Sequence, residues 1–154
     1  MHPQSIKKIL VPIDGSDESF SASSLAIEIA KKFESELLLL HVVTIDQSFR
    51  AVGLYGRSYD DVVKKHVDEA KKELDRWFVR ISKAAEEYWI TVSSHVVDTS
   101  ISIVGEIVNY AEKNDIDMIV MGTKGMSSFS KLLMGSVATG VNIFAMPSSS
   151  LKVT

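Results

Sequence analysis

Residues 117–122, Asp117-Met118-Ile119-Val120-Met121-Gly122, decide the architecture. Four apolar residues follow one another without a polar interruption and stop at a glycine. Such a run predicts a strand buried on both faces. Working outward, Leu37-Leu38-Leu39-Leu40-His41-Val42-Val43 reads the same way, and so does Ile9-Leu10-Val11-Pro12-Ile13, where proline is tolerable because the strand is ending. Thr91 to Val97 is a further strand. The segments between these runs carry a helical period instead: Ala22, Leu25, Ala26, Ile29 and Phe33; then Val63, Val67, Ala70, Leu74, Phe78, Ile81, Ala85 and Tyr88; then Val104, Ile107, Val108 and Ala111, with Asn114 as the C-cap. Ser16 is placed to cap the first helix, with Asp17 and Glu18 in its first turn. Residues 136–144 are expected to form a short helix, although Gly140 costs it about 1 kcal/mol relative to Ala, and Leu151-Lys152-Val153 a final strand. Strands alternating with helices predict an α/β fold in three layers, α/β/α, with a parallel sheet covered on both faces.

The 154 residues fit one domain, 1–154. With 45% apolar and 24% charged residues, the composition is that of an ordinary globular chain. A formal charge of −3 argues against general nucleic-acid binding, which calls for a basic excess. The chain has no cysteine, so thiol catalysis, disulfides and Cys-based zinc sites are excluded. No segment approaches the ~20 apolar residues that span a bilayer. The apolar run after Lys7-Lys8 stops at Pro12, short of the roughly 7–15 residues of a signal peptide, so a cytoplasmic protein is expected. Residues 44–61 lack a clear period and are long for a connection. They are a candidate lid.

In a doubly wound sheet, ligands bind outside the carboxyl ends of the strands. The first strand is followed by Asp14-Gly15-Ser16. The fourth is followed by Gly122-Thr123-Lys124-Gly125 and, ten residues beyond Gly125, by Gly135-Ser136. The spacing G-x2-G-x9-G-S has one physical rationale. Glycines let the chain turn and let a phosphate approach the main chain. Gly135 and Ser136 open a helix, where free N–H groups hold an anion. Lys124 and Lys131 can add charge-assisted contacts. At a glycine frequency of about 7%, three glycines at set spacing arise by chance about 0.0003 times per start position.

These residues resemble the universal stress protein family, in its ATP-binding branch. The matching stretches are ILVPIDGSDES, LLLLHVV and DIDMIVMGTKGMSSFSKLLMGSV, and the likeness covers about residues 6–46 and 60–140. The resemblance implies a Rossmann-like, five-stranded parallel sheet in order 3-2-1-4-5, an ATP (or ADP or AMP) ligand, and a homodimer. It implies that Asp14 accepts hydrogen bonds from the ribose hydroxyls, and that Pro12, Ile13 and Val42 wall the adenine. Gly122, Thr123, Lys124 and Gly125 would wrap the ribose and inner phosphates, while Gly135, Ser136 and the amide of Val137 hold the outer ones. Mg2+ or Mn2+ would bind through the phosphates, and no protein metal ligand or catalytic residue is identified. The tail Met146-Pro147-Ser148-Ser149-Ser150-Leu151-Lys152-Val153-Thr154 departs from the family's apolar last strand, and Asp98-Thr99-Ser100-Ile101-Ser102 departs from its Gly-x-Pro turn.

Other readings are weaker. DGSDES faintly resembles the S-G-G-x-D-S loop of ATP pyrophosphatases, but Ser16 and Glu18 stand at two of its key positions. The dinucleotide fingerprint after the first strand, Walker A, H-E-x-x-H and G-x-S-x-G are absent. The four histidines have no metal-ligand spacing, though His41 and His95 lie near strand ends and could meet. Trp77 and Trp89 suggest a packed or self-associating face. The expected function is a nucleotide-binding stress or signalling module. A slow ATPase or phosphate-transferring enzyme ranks second because the loop offers serines but no carboxylate to orient water. An interaction protein with an empty site ranks third.

Overall fold

The computed structural model describes residues 5–45 and 58–122, together with the backbone of 141–145. The elements are β1 (Lys8–Pro12), α1 (Asp17–Phe33), β2 (Glu36–Thr44), α2 (Tyr59–Glu86), β3 (Val92–Thr99), α3 (Ile103–Lys113), β4 (Met118–Gly122) and β5 (Val141–Ala145). Serines start all three helices among the described residues: the hydroxyls of Ser16, Ser58 and Ser102 accept from the amides of Ser19, Asp61 and Gly105. Each cap is worth about 1 kcal/mol relative to alanine. The Ser58 cap, followed by Asp60 and Asp61 in the first turn, starts α2 four residues before the expected Val63. In the turn between β3 and α3, Thr99 Oγ1 accepts from the amides of Ile101 and Ser102, both at 3.2 Å, and this delivers Ser102 to its capping position.

The sheet runs β3-β2-β1-β4-β5, the order expected. β3 with β2, β2 with β1 and β1 with β4 pair in parallel, and β5 pairs antiparallel with β4, Met118 opposite Ala145 and Gly122 opposite Val141. Two expectations are corrected here. The sheet is not wholly parallel, and residues 141–144, read as part of a short helix, are strand. Val141, Ile143 and Phe144 are residue types that favour strands, while Gly140 weakens a helix at this point. An antiparallel edge strand on a parallel sheet is a common arrangement. The candidate strand at 151–153 and most of the candidate lid lie outside the described residues.

Alternation along the strands divides the core into two halves. Ile9, Val11, Ile13, Leu37 and Leu39 pack under α1 and α2, with Leu74, Ile81 and Ala85. Leu10, Leu38, Leu40, Val42, Ile119 and Met121 pack under Ile107 and Ala111 of α3. Burying one such Leu or Ile is worth about 1.5–3 kcal/mol. Register fixes the histidines as well. His95 pairs with Leu40 and His41 with Val96, so the two rings lie on opposite faces and do not meet. Among the described residues no helix is long and apolar enough to cross a membrane.

Candidate functional site

The order β2-β1-β4 makes the β1/β4 boundary the point where the chain's progress across the sheet reverses, and such a point opens a crevice at the carboxyl ends. Pro12 contributes to it. Odd-numbered residues of β1 bond towards β2, as the Ile13 amide does to Leu40 O at 2.8 Å; even-numbered ones face β4, as Lys8 O does in accepting from Asp117 N at 3.0 Å. The N–H that Pro12 lacks is therefore one that would have bonded β4. Among the described residues the β1–β4 ladder ends at Leu10–Ile119, two residues before it.

The chain then turns on Asp14-Gly15-Ser16. Asp14 Oδ1 accepts from the Ser16 amide at 2.9 Å, and Gly15 takes φ +83°. Ser16 Oγ accepts from Ser19 N at 3.2 Å, and Ser19 Oγ donates to Ser16 O at 2.8 Å. With this cap in place and Asp17 and Glu18 in the first turn, the N-terminus of α1 repels an anion.

Gly122 ends β4 against that same turn. A Cβ on it would lie 2.8 Å from Glu18 Cβ and 2.9 Å from Glu18 C and O. The glycine thus has a packing reason of its own, the close approach of α1 to the end of β4. The predicted residues divide accordingly. Pro12 and Val42 are buried, and alternation puts both on the α3 face; Asp14 is partly exposed at the turn. Ile13 is fully buried under α1 and α2, so only its backbone faces the crevice. Thr123, Lys124, Gly125, Gly135, Ser136 and Val137 lie outside the described residues.

Three residues beside the turn, His41, Trp77 and Glu18, were not assigned to the site from the sequence. His41 Nδ1 lies 2.8 Å from Ile13 O; a carbonyl only accepts, so Nδ1 carries the proton and donates. Trp77 of α2 meets the His41 ring edge-on, centroids 5.0 Å apart at 89°, and covers Gly15. Glu18 fills the space beside Gly122. A lone polar residue within the apolar run 37–43 was the available signal for His41, and the spacing 74, 77, 81 was the signal for Trp77. The two tryptophans part company: Trp77 is half-buried, whereas Trp89 is 95% exposed at φ +61°. His95 bonds instead to the Tyr110 hydroxyl at 2.9 Å, and burial pushes that phenol's pKa above its usual value. A cavity of about 470 Å³ lies at the opposite end of the sheet, beside Tyr88, Trp89 and Thr91, and Lys31 Nζ already sits 4.1 Å over the Tyr88 ring there.

A sheet with a strand-order reversal between β1 and β4 defines a doubly wound α/β protein, and the comparisons narrow the class. Residues 5–141 match the model of the universal stress protein family, and the chain belongs to that family. Universal stress protein MJ0531 of Methanocaldococcus jannaschii is 35% identical over 135 residues, covering 88% of this chain and 75% of that protein. The solved structure of MJ0577 from the same organism superposes with a TM-score of 0.58 at 28% identity, covering 89% of this chain and 88% of that one. The fold is shared with a universal stress protein solved in complex with cAMP (TM-score 0.57, 22% identity, 88% and 89% covered) and one from Archaeoglobus fulgidus in complex with dAMP (0.58, 21%, 84% and 90%).

Proposed function

We propose that this chain is an adenine-nucleotide-binding module, taking ATP, ADP or AMP in the crevice between the carboxyl ends of β1 and β4, and acting in stress response or signalling through nucleotide-dependent conformation or assembly. The observation that carries the reading is the close contact of Gly122 with Glu18, which sets the first glycine of G-x2-G-x9-G-S against the first turn of α1, the helix that follows the Asp14 turn. Two proteins of this fold solved with adenine nucleotides, one with cAMP and one with dAMP, support it. The capped, acidic N-terminus of α1 supports it too, by directing phosphates away from the place a dinucleotide fold would use. In this arrangement Asp14 binds the ribose, Pro12, Val42 and the Ile13 backbone border the adenine, Gly122, Thr123, Lys124 and Gly125 follow the ribose and inner phosphates, and Gly135, Ser136 and Val137 take the outer ones.

Among the described residues no group of three His, Asp or Glu side chains is placed to hold a metal. Mg2+ or Mn2+ would be held through the phosphates of the nucleotide, keeping its waters as its other ligands. A cytoplasmic homodimer completes the proposal.

Asp14→Ala tests it. Loss of a charged hydrogen bond to ribose is expected to weaken ATP and ADP alike, by about tenfold to a hundredfold in a calorimetric titration. Loss of ATP affinity alone would place Asp14 at the phosphates instead. No binding of ATP, ADP or AMP by the unaltered chain would overturn the reading.

A further inference from the structure

We infer that His41 is a positioning residue for the nucleotide site: its ring holds the Ile13–Asp14 peptide from the far face of the sheet, and Trp77 holds the ring. The inference rests on the proposed nucleotide reading and adds residues to it that line no part of the crevice. The carbonyl to which His41 Nδ1 donates at 2.8 Å belongs to the same peptide plane as the Asp14 N–H. That plane sets the start of the turn, and the turn is closed on its other side by the bond from Ser16 N to Asp14 Oδ1 at 2.9 Å. Asp14 is thus held twice, once through its own carboxylate and once through the peptide before it.

Packing alone does not call for a histidine at this position. The other residues of β2 that fill the α1/α2 half of the core are leucines, Leu37 and Leu39. An imidazole there brings a donor into a half-buried place, and the donor is spent on the one carbonyl next to Asp14. Its orientation is fixed in turn by Trp77, whose edge-on contact at 5.0 Å and close approach to Gly15 tie α2 to the imidazole and to the turn itself. A path therefore runs from the middle of α2 to the ribose-binding carboxylate: Trp77, His41, the Ile13 carbonyl, Asp14.

Two substitutions separate positioning from packing. His41→Asn keeps a donor the same number of bonds from Cα, and His41→Phe keeps the ring without the donor. By titration with AMP, H41F is expected to bind about tenfold more weakly than the unaltered chain and H41N within about threefold of it. In an Asp14→Ala background H41F should change affinity by less than about twofold, because residues acting through one group are not additive. A second readout needs no nucleotide: the Ser16 amide, held by Asp14, should exchange with deuterium at least about tenfold faster in H41F and not in H41N. If H41F does not fold, Trp77→Phe, which loosens the ring, takes its place, with a loss of about threefold expected. Unchanged affinity and unchanged Ser16 exchange in H41F overturn the inference, and so does a loss of affinity that persists in full without Asp14. Failure of the unaltered chain to bind AMP overturns the function reading instead, and the Ser16 exchange still decides the role of His41.

Discussion

Gly15→Ala is expected to destabilise the chain by about 2–5 kcal/mol, measured as a fall in the urea midpoint at constant slope. Two costs combine. At φ +83° an L residue pays about 1–2 kcal/mol that glycine does not. The added Cβ would also lie 2.5 Å from Cζ2 of the Trp77 indole, an overlap that must be relieved by moving a ring already wedged against His41. Overpacking of this kind costs about 1–3 kcal/mol. The two parts can be separated. In a Trp77→Leu background the steric part vanishes and the conformational part remains, so the double-mutant cycle should show a coupling of about 1–3 kcal/mol. An additive cycle would mean that Trp77 does not rest on Gly15.

Gly122→Ala is expected to destabilise by about 2 kcal/mol, and here the sign is what matters. Within a strand, replacing glycine by alanine is ordinarily worth about 0.5–1 kcal/mol in favour of folding. At Gly122 the new methyl would sit 2.9 Å from the backbone carbon and oxygen of Glu18, atoms that no rotamer change can move. α1 has to shift as a body, and it carries the Asp14–Ser16 turn with it. The same urea titration, read beside an AMP titration, should therefore show stability and affinity falling together. A stabilised Gly122→Ala variant would contradict the packing of α1 against β4.

Much of the fold was legible because its signals are local and agree with one another. Continuous apolar runs gave β1, β2 and β4, and the Ser16 cap with Asp17, Glu18, Lys31 and Lys32 bounded α1 where it is found. Where the reading slipped, two signals competed. Ser58 with Asp60 and Asp61 outweighed the later start of the apolar stripe at Val63, and the strand preference of Val141, Ile143 and Phe144 outweighed a helical spacing already weakened by Gly140. The site was legible to a lesser degree, because sequence shows which residues follow a strand but not what fills the space beside them. Gly122 reads as a phosphate-loop glycine, yet its contact is with Glu18. Ile13 reads as a pocket wall, yet its side chain is wholly inside the α1/α2 core. His41 and Trp77 are 36 positions apart along the chain, and only the register of β2 against the rest of the sheet, with α2 laid over it, makes them neighbours of the Asp14 turn.

The central claim is one of place: that adenine nucleotide binds where β1 and β4 end. Amide chemical shifts of the isotopically labelled chain, followed during titration with AMP, test it residue by residue. The account predicts saturable shifts at Ile13, Asp14, Gly15, Ser16 and Gly122, with the amides of Tyr88–Thr91 beside the cavity at the other end of the sheet unmoved. Shifts centred on Tyr88–Thr91, with the Asp14 turn unchanged at saturation, would contradict it.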